Sequence, residues 1–580
     1  MTTENGDPVM FSLADPERAV SATVVKPFLA NFGYTGSLLQ HQFPLGNGQT
    51  VPLVAFAHAP ADARTACIAV IEADHGTPGI VAEYRHLAAP LVFVCGMLGL
   101  EWWNQTSKTP VRCGDPIPPD GLASFFTAHH DEFAPDAIYR AKTWGRFDTQ
   151  YQRSFVDLGL MPLVEEGIGQ ELTTLISRNV QKLKSLLGWD TLSEKQGQWV
   201  LKSVFWIVSA KILRDKEVGR FAKLDPLDVE PLLDAIAEHY DAERIAARSG
   251  RQRKALIEIA DDVTRFSNLR LATTESLAYV YENAMISKAT RQALGTHSTP
   301  SYLVDYIVGK LTPWIADIPL EHRNVFEPAC GHAAFLVSAM RLLTELLPKD
   351  KLAAAQRRSY LRSRIHGCDK DDFALEIARL SLSLTDIPNP DGWDLVAGDM
   401  FQRGRLETKA RTATILLANP PFENFSSESR SWYEKRGIEL RHVNKTTELL
   451  ARVLPELPSG AVLGIVVPQG FLHSKNAVPV RRLLTTGFEL QEICLFPDKV
   501  FTFSDMESAI LIARKQGCKP TAEVRYRRVR ERAIGDFRNE YRATLDLSVR
   551  QSTFQKSHDL RIPDLGAVWD YCRRFRPFQE

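Results

Sequence analysis

The spacing of apolar positions changes twice along the chain and divides it into three stretches of different architecture. From about Thr23 to Thr106 the apolar residues come in short runs, at 50–56, 65–71 and 90–94. Runs of that length, bounded by Gly, Pro and polar residues, predict strands, and a helical pattern at 80–87 between the last two makes the unit α/β. The longest apolar run, 89–100, reads as one buried strand and is far short of the ~20 residues that a bilayer span needs. The segment 109–121, with four prolines and two glycines, reads as a loop.

From about Phe155 to Ala293 the period becomes 3.6. Leu172, Leu175, Ile176, Val180, Leu183 and Leu187 form one stripe, and Leu232, Ile236 and Tyr240 form another. These predict a mostly helical domain with a polar break at 213–220. After Gly295 strands and helices alternate. Apolar runs at 324–326, 364–368, 413–417, 461–467, 490–495 and 508–513 predict a doubly wound sheet of mainly parallel strands, the last two close enough to form a hairpin. The expected division is a flexible tail at 1–20, a small α/β domain at 21–150, a helical domain at 151–293, a Rossmann-like domain at 294–515 and a basic extension at 516–580.

Composition narrows the function classes. The 580 residues are 44% hydrophobic and 24% charged, which excludes a disordered chain and is too much for one core. The 70 basic and 70 acidic residues cancel, so a uniformly basic coat is excluded while a local basic cleft is not. The eight cysteines, Cys67, Cys95, Cys113, Cys330, Cys368, Cys494, Cys518 and Cys572, are never closer than 18 residues, so no zinc-ligand spacing exists and no metal is expected. Scattered thiols, and an N-terminus without a basic and apolar leader, lead us to expect a cytoplasmic protein without a membrane anchor.

The most informative string is Ala418-Asn419-Pro420-Pro421-Phe422, directly after a strand-like run. Open α/β sheets bind ligands at the carboxyl ends of their strands. Two prolines fix φ and remove two N–H donors, so this turn presents carbonyls. The Asn419 amide oxygen and the Pro420 carbonyl together suit one exocyclic amine, and Phe422 suits base stacking. A second string, Glu327-Pro328-Ala329-Cys330-Gly331-His332-Ala333, joins a strand to an amphipathic helix through small residues that let a ligand approach the backbone. Glu327 suits a cationic amine. Asp369, at the tip of the next strand, suits ribose hydroxyls, and Asp399, with Met400 after it, suits an adenine amino group.

Taken together these strings resemble the gamma-class adenine-N6 DNA methyltransferases that use S-adenosylmethionine. The resemblance runs from about Thr274 to Lys515 and keeps the family's order of elements. It implies a cofactor loop at Glu327, Pro328, Ala329, Cys330 and Gly331, ribose and adenine acids at Asp369 and Asp399, and a catalytic turn at Asn419, Pro420, Pro421 and Phe422. Upstream, Thr299 and Pro300 resemble the loop that touches the methionine end of the cofactor. Downstream, 464–470 resembles the strand and turn after the catalytic motif, and Phe501 and Phe503 lie in a segment that resembles the loop closing over the target base. Two positions depart from the pattern: Ala333 stands where glycine is usual, and Ser298 replaces the usual tyrosine. The lead-in 275–282 resembles that of type I modification subunits and type IIG-like fused restriction–modification enzymes. The resemblance implies double-stranded DNA as substrate, a restriction–modification or phage-defence setting, and a separate specificity or restriction subunit as partner. The alternatives are a methyltransferase of protein glutamine or RNA, and a non-catalytic subunit that senses DNA or cofactor.

The strand layout at 51–94 is compatible with a nuclease-like fold, but no lysine follows Glu72; none occurs between Lys26 and Lys108. We expect a degenerate nuclease-like or interaction domain. His129-His130-Asp131-Glu132 reads as a surface loop. The basic alternation at 525–532 suits either a strand running along phosphates or a solvated edge strand, at the start of a target-recognition region.

Overall fold

Two sheets with a helical layer between them carry the chain. The computed structural model describes residues 19–562 apart from 146, 148, 190, 284–298, 349–352, 403, 499, 501–505 and 518–520. The first sheet has the order β1 (Leu39–Pro44), β2 (Thr50–Phe56), β3 (Ala66–Glu72), β4 (Leu91–Gly96), β5 (Gly99–Asn104), β6 (Val111–Arg112). All neighbours are antiparallel except β3 and β4, whose crossover contains the helix Pro78–Glu83. The run 89–100 is therefore not one strand. It is a hairpin that turns at Met97–Leu98, and the return strand starts at Gly99, where φ is +110° and an added Cβ would sit 2.2 Å from the Ile117 carbonyl oxygen. Apolar content predicted the burial of 89–95 but cannot register the turn, at which Leu98 is exposed.

β3 reads as a continuous apolar run because both faces of the sheet are covered. Ile68 and Val70 face a cluster with Val25, Leu29 and Phe133. Ala69 and Ile71 face a core shared with the helical layer. That layer consists of the helices Leu160–Leu187, Glu194–Asp215, Val229–His239, Gly250–Thr264 and Thr274–Asn283. The first ends at Gly188 with φ +68°, and the second starts with a reciprocal Ser193–Gln196 cap. The second ends at Asp215, inside the polar break that the sequence predicts. On its far side the layer packs on the helix Asp372–Thr385 of the second sheet, with Ala374, Ile377 and Leu380 in the same core.

The second sheet contains β7 (Val325–Glu327), β8 (Ile365–Asp369), β9 (Asp394–Ala397), β10 (Ile415–Ala418), β11 (Val462–Pro468), β12 (Glu489–Phe496), β13 (Ser508–Arg514), β14 (Glu523–Arg528) and β15 (Leu545–Arg550). Their order is β15-β14-β12-β13-β11-β10-β7-β8-β9, and five of the eight pairings are parallel. From β7 the chain winds outward through β8 and β9, then returns to β10 on the other side. The order thus reverses between β7 and β10, and such a switch point opens a crevice at the carboxyl ends of the strands.

β12 and β13 pair antiparallel, as the short link between them suggests. The segment after 515 does not stand apart: β14 and β15 extend the same sheet. β14 lies between β12 and β15 rather than at the edge. Arg527 is 3% exposed, with Glu492 at 3.7 Å and Asp546 at 3.1 Å, so it is an internal ion-pairing residue and not a phosphate contact. Arg525 also pairs with Asp546, at 2.6 Å. Alternation along a basic strand does not reveal that acids from β12 and β15 are waiting on both sides. Among the described residues no helix is long and apolar enough to cross a membrane.

Candidate active site

Glu327 ends β7 and is 3% exposed. The chain then turns through Pro328–Gly331 into the helix Ala334–Glu345. Gly331 has φ +52° and Ala333 has φ +67°, so the loop keeps a left-handed entry to the helix even with alanine in the last place. The turn is tied to β8: the Gly331 N–H donates to Asp369 Oδ2 at 2.8 Å, and the Cys330 N–H donates to the Cys368 carbonyl at 3.0 Å. The other Asp369 oxygen accepts from the Asp371 N–H at 2.9 Å. At the end of β9, Asp399 accepts from the Phe401 N–H at 2.9 Å and from the Tyr433 hydroxyl. Asn419 follows β10, and its side-chain nitrogen donates to Thr299 Oγ1 at 3.0 Å.

Two side chains from the next segment set the shape of the Asn419–Phe422 turn. Thr446 donates to the Pro421 carbonyl at 3.0 Å, and the Asn444 amide donates to the Phe422 carbonyl at 2.7 Å. A cleft lies on each side of this turn. The first takes up about 970 Å³, its open mouth included. It is lined by Thr299, Glu327, Pro328, Ala329, Cys330, Gly331, Asp369, Asp399, Met400, Asn419 and Pro421 from the expected set. The second is lined by Phe422, Glu423, Asn424, His442, Pro468, Gln469, Gly470, Phe471 and Met506, among others. Phe422 is 2% exposed and borders only this second cleft, so the turn divides the two spaces.

Pro300 caps the helix Ser301–Asp317, and Pro420 is buried within the turn. Phe501, Phe503 and Ser298 lie outside the described residues. The first cleft also draws in residues that sequence reasoning did not select: Tyr281, His332, Lys370, Phe401, Phe425, Tyr433 and Lys445. His332 and Phe401 sit inside strings already singled out. Tyr281 sits inside the lead-in at 275–282, whereas Tyr433, from the helix Ser427–Glu434, arrives by tertiary packing and carries no local signal.

Burial governs the titration of two acids that line the first cleft. Burial and the neighbouring Asp369 push the Glu327 carboxyl well above its usual range. Its Oε2 is buried with no hydrogen-bond partner among the described residues. Burial also raises the Asp369 carboxyl, despite its two backbone donors. Burial lowers the His332 imidazole to about 4, so it is neutral at physiological pH, and it pushes the Cys330 thiol up, which removes any thiolate nucleophile. S-adenosylmethionine carries an ammonium, a sulfonium, a ribose diol and an adenine. Two desolvated acids, Glu327 and Asp369, and a third, Asp399, beside the Tyr433 hydroxyl, fit that group set. Among the described residues, no cluster of three or more His, Cys, Asp or Glu could hold a metal ion. His129 and Glu132 pair at 2.9 Å, with the imidazole stacked on Phe133.

Comparison with known proteins agrees with this geometry. Residues 272–544 match the family model described as N-6 DNA Methylase. Among solved structures, the type IIG restriction endonuclease BpuSI is 14% identical, with 94% of this chain and 64% of that one covered and a TM-score of 0.47. The methyltransferase subunit of a type I restriction-modification system from Streptococcus thermophilus is 14% identical, with 68% and 99% covered and a TM-score of 0.43. At these identities and scores the two likenesses carry no argument about function. The match to the N-6 DNA Methylase family model spans the first cleft and the turn beside it, and it supports an adenine-N6 DNA methyltransferase that uses S-adenosylmethionine.

Proposed function

We propose that this chain methylates N6 of an adenine flipped out of double-stranded DNA, that Asn419, Pro420, Pro421 and Phe422 form its catalytic turn, and that it serves a restriction–modification or phage-defence system in the cytoplasm. The observation that carries the reading is the position of the Asn419–Phe422 turn between two clefts, one lined by desolvated acids and one bordered by Phe422. In this reading Glu327 holds the cofactor's ammonium, Asp369 its ribose and Asp399 its adenine, while Thr299 lies near its methionine end.

The cofactor supplies an electrophilic methyl group on a positively charged sulfur. The protein's task is to make the amine a nucleophile. The lone pair of adenine N6 is delocalised into the ring. Acceptance of both amine hydrogens, by the Asn419 amide oxygen and the Pro420 carbonyl, favours a pyramidal nitrogen whose lone pair points at the methyl group. The surplus N6 proton then passes to water. Catalysis here is positioning plus electrostatics, and a fixed turn suits it because prealigned dipoles need no reorganisation. The Thr446 and Asn444 contacts supply that fixation. A base inside a duplex cannot reach the turn, so the adenine must leave the stack. Phe422, bordering the second cleft, with Phe501 or Phe503, would hold it there.

The resemblance of 275–282 to the lead-in of type I and type IIG-like enzymes supports the defence setting and a separate specificity or restriction subunit. The test is single-turnover transfer from labelled S-adenosylmethionine to duplex DNA, with RNA and protein offered in parallel. Label on adenine N6 of DNA is expected. Label on cytosine, RNA or glutamine would overturn the substrate.

A further inference from the structure

One wall of the cofactor cleft does not belong to the Rossmann-like sheet. Tyr281, on the helix Thr274–Asn283, lines the cleft, packs its ring 5.5 Å from His332, and donates its hydroxyl to Asp371 at 3.3 Å. Six residues earlier, about 9 Å along the helix, Glu275 enters a buried ion cluster. Arg341, on the helix that follows the cofactor loop, grips Glu275 Oε1 and also donates to Thr274 Oγ1 at 2.8 Å. From the opposite side comes Arg64, of the N-terminal sheet unit. Its Nη1 lies 2.7 Å from the same Glu275 oxygen and 3.7 Å from Glu165, and its Nη2 lies 3.3 Å from Asp305.

Asp305 matters because of its place in the chain. It lies in the second turn of the helix Ser301–Asp317, which begins directly after Thr299, the partner of Asn419. A single guanidinium therefore ties together the two helices that carry Tyr281 and Thr299 to the cleft. The Arg64 and Glu275 side chains are 13% and 10% exposed. Burial opposes ionisation of Glu275, but Arg341 and Arg64 outweigh it and hold the carboxyl well below its usual range. Arg64 presents two donors in a rigid fork to two acids on different helices, a geometry that a lysine cannot copy. Nothing else assigns the N-terminal unit a part in methyl transfer.

We infer that Arg64 is a positioning residue for cofactor binding: by holding Glu275 and Asp305 in one cluster, the N-terminal unit sets where Tyr281 and Thr299 meet the cofactor. The inference rests on the first cleft being the cofactor's. Glue between domains would affect only stability, whereas positioning affects affinity, and the two can be separated. Calorimetry with S-adenosylmethionine should be run on the full chain and on Arg64→Ala, Arg64→Lys and Val54→Ala. Val54 is buried in the core that the N-terminal sheet shares with the helical layer, and its truncation loosens that junction without touching the cluster.

Arg64→Ala is expected to raise Kd at least ~10-fold, a usual size for coupling between sites. Val54→Ala is expected to lower Tm while leaving Kd within about twofold. Arg64→Lys should recover part of the affinity. Adding Tyr281→Ala to Arg64→Ala should raise Kd by less than the product of the single effects. An unchanged Kd in Arg64→Ala, an equal rise in Val54→Ala, or full additivity with Tyr281→Ala would each overturn the inference. If Arg64→Ala does not fold, Asp305→Asn replaces it, because this removes one arm of the cluster and keeps the Arg64–Glu275 pair; an unchanged Kd there also overturns it. Failure of the unmodified chain to bind would instead remove the cofactor reading of the cleft, and the inference with it.

Discussion

The side-chain nitrogen of Asn419 donates to the hydroxyl of Thr299 at 3.0 Å, across 120 residues of sequence. With that nitrogen engaged, the amide oxygen is the atom left to accept from an amine in the proposed reaction. The contact also joins the two ends of the expected site, the turn after β10 and the loop before the helix Ser301–Asp317.

Replacing Asn419 should therefore separate catalysis from binding. Asn419→Ala is expected to lower the single-turnover rate at least ~10²-fold, as loss of other preorganised polar contacts does, with cofactor affinity nearly intact. Thr299→Val removes one hydrogen bond, of about 1 kcal/mol, and should cost up to ~10-fold in rate; Thr299→Ser should restore most of it. An active Asn419→Ala enzyme would place the catalytic turn elsewhere.

Asp369 has a double task in the apo geometry, because both of its oxygens already accept backbone N–H groups of the loops around it. Asp369→Ala should weaken S-adenosylmethionine binding by the loss of ribose bonds, each about 1.5–3 kcal/mol when charge-assisted, and loosen the 328–333 loop as well. Calorimetry should place Asp369→Asn between wild type and Asp369→Ala.

Glu327 should make stability depend on pH, and, as the proposed partner of the ammonium, cofactor binding too. Its folded pKa is raised, chiefly by burial and next by Asp369. The folded state then retains a proton that the unfolded state loses above about pH 4.3. Stability from this group accordingly falls as pH rises from that value toward the raised one. Glu327→Gln should remove this loss. Thermal melts should show the variant more stable than wild type near pH 8 and the difference gone near pH 4. Its affinity for S-adenosylmethionine should fall, since the ammonium loses its counter-charge. Equal melts at both pH values would mean that Glu327 is not desolvated.

Ala333 adopts φ +67° with no exposure. Left-handed backbone costs a non-glycine residue roughly 1–2 kcal/mol. Glycine relieves that but loses about 0.4–1 kcal/mol to chain entropy and about 0.8 kcal/mol from the buried methyl. Ala333→Gly should thus be nearly neutral. Ala333→Val, β-branched at positive φ, should lose both stability and cofactor binding. Denaturant titration of the two variants checks the contrast.

The N-terminal unit should not cut DNA. Glu72 Oε1 accepts from the Ala22 N–H at 2.9 Å, a tie to the start of the helix Ala22–Asn31, and its sequence neighbours include no lysine. Incubation of the full chain with supercoiled DNA and Mg²⁺ should leave the DNA intact, and nicking that Glu72→Ala abolishes would restore a nuclease.

The residues legible in the sequence are those whose role is local. Ile415–Ala418 is apolar, Asn419 follows it, and two prolines forbid helix or sheet beyond, so strand, turn and acceptor chemistry are all written within a few positions. The places of Glu327, Asp369 and Asp399 beside the first cleft are legible for the same reason, each at the tip of a short apolar run. What sequence cannot reach is whatever depends on a partner far along the chain. Arg527 looks like a phosphate contact until β12 and β15 bring Glu492 and Asp546 beside it. Tyr433 looks like one aromatic in a polar stretch until its hydroxyl meets Asp399. Arg64, an isolated arginine before a strand, gains its meaning from acids at 165, 275 and 305. Propensity and hydrophobic period act over one or two turns of chain and therefore determine elements and their ends. The pairing of buried charges is decided only when packing removes water from between elements, and that depends on three dimensions.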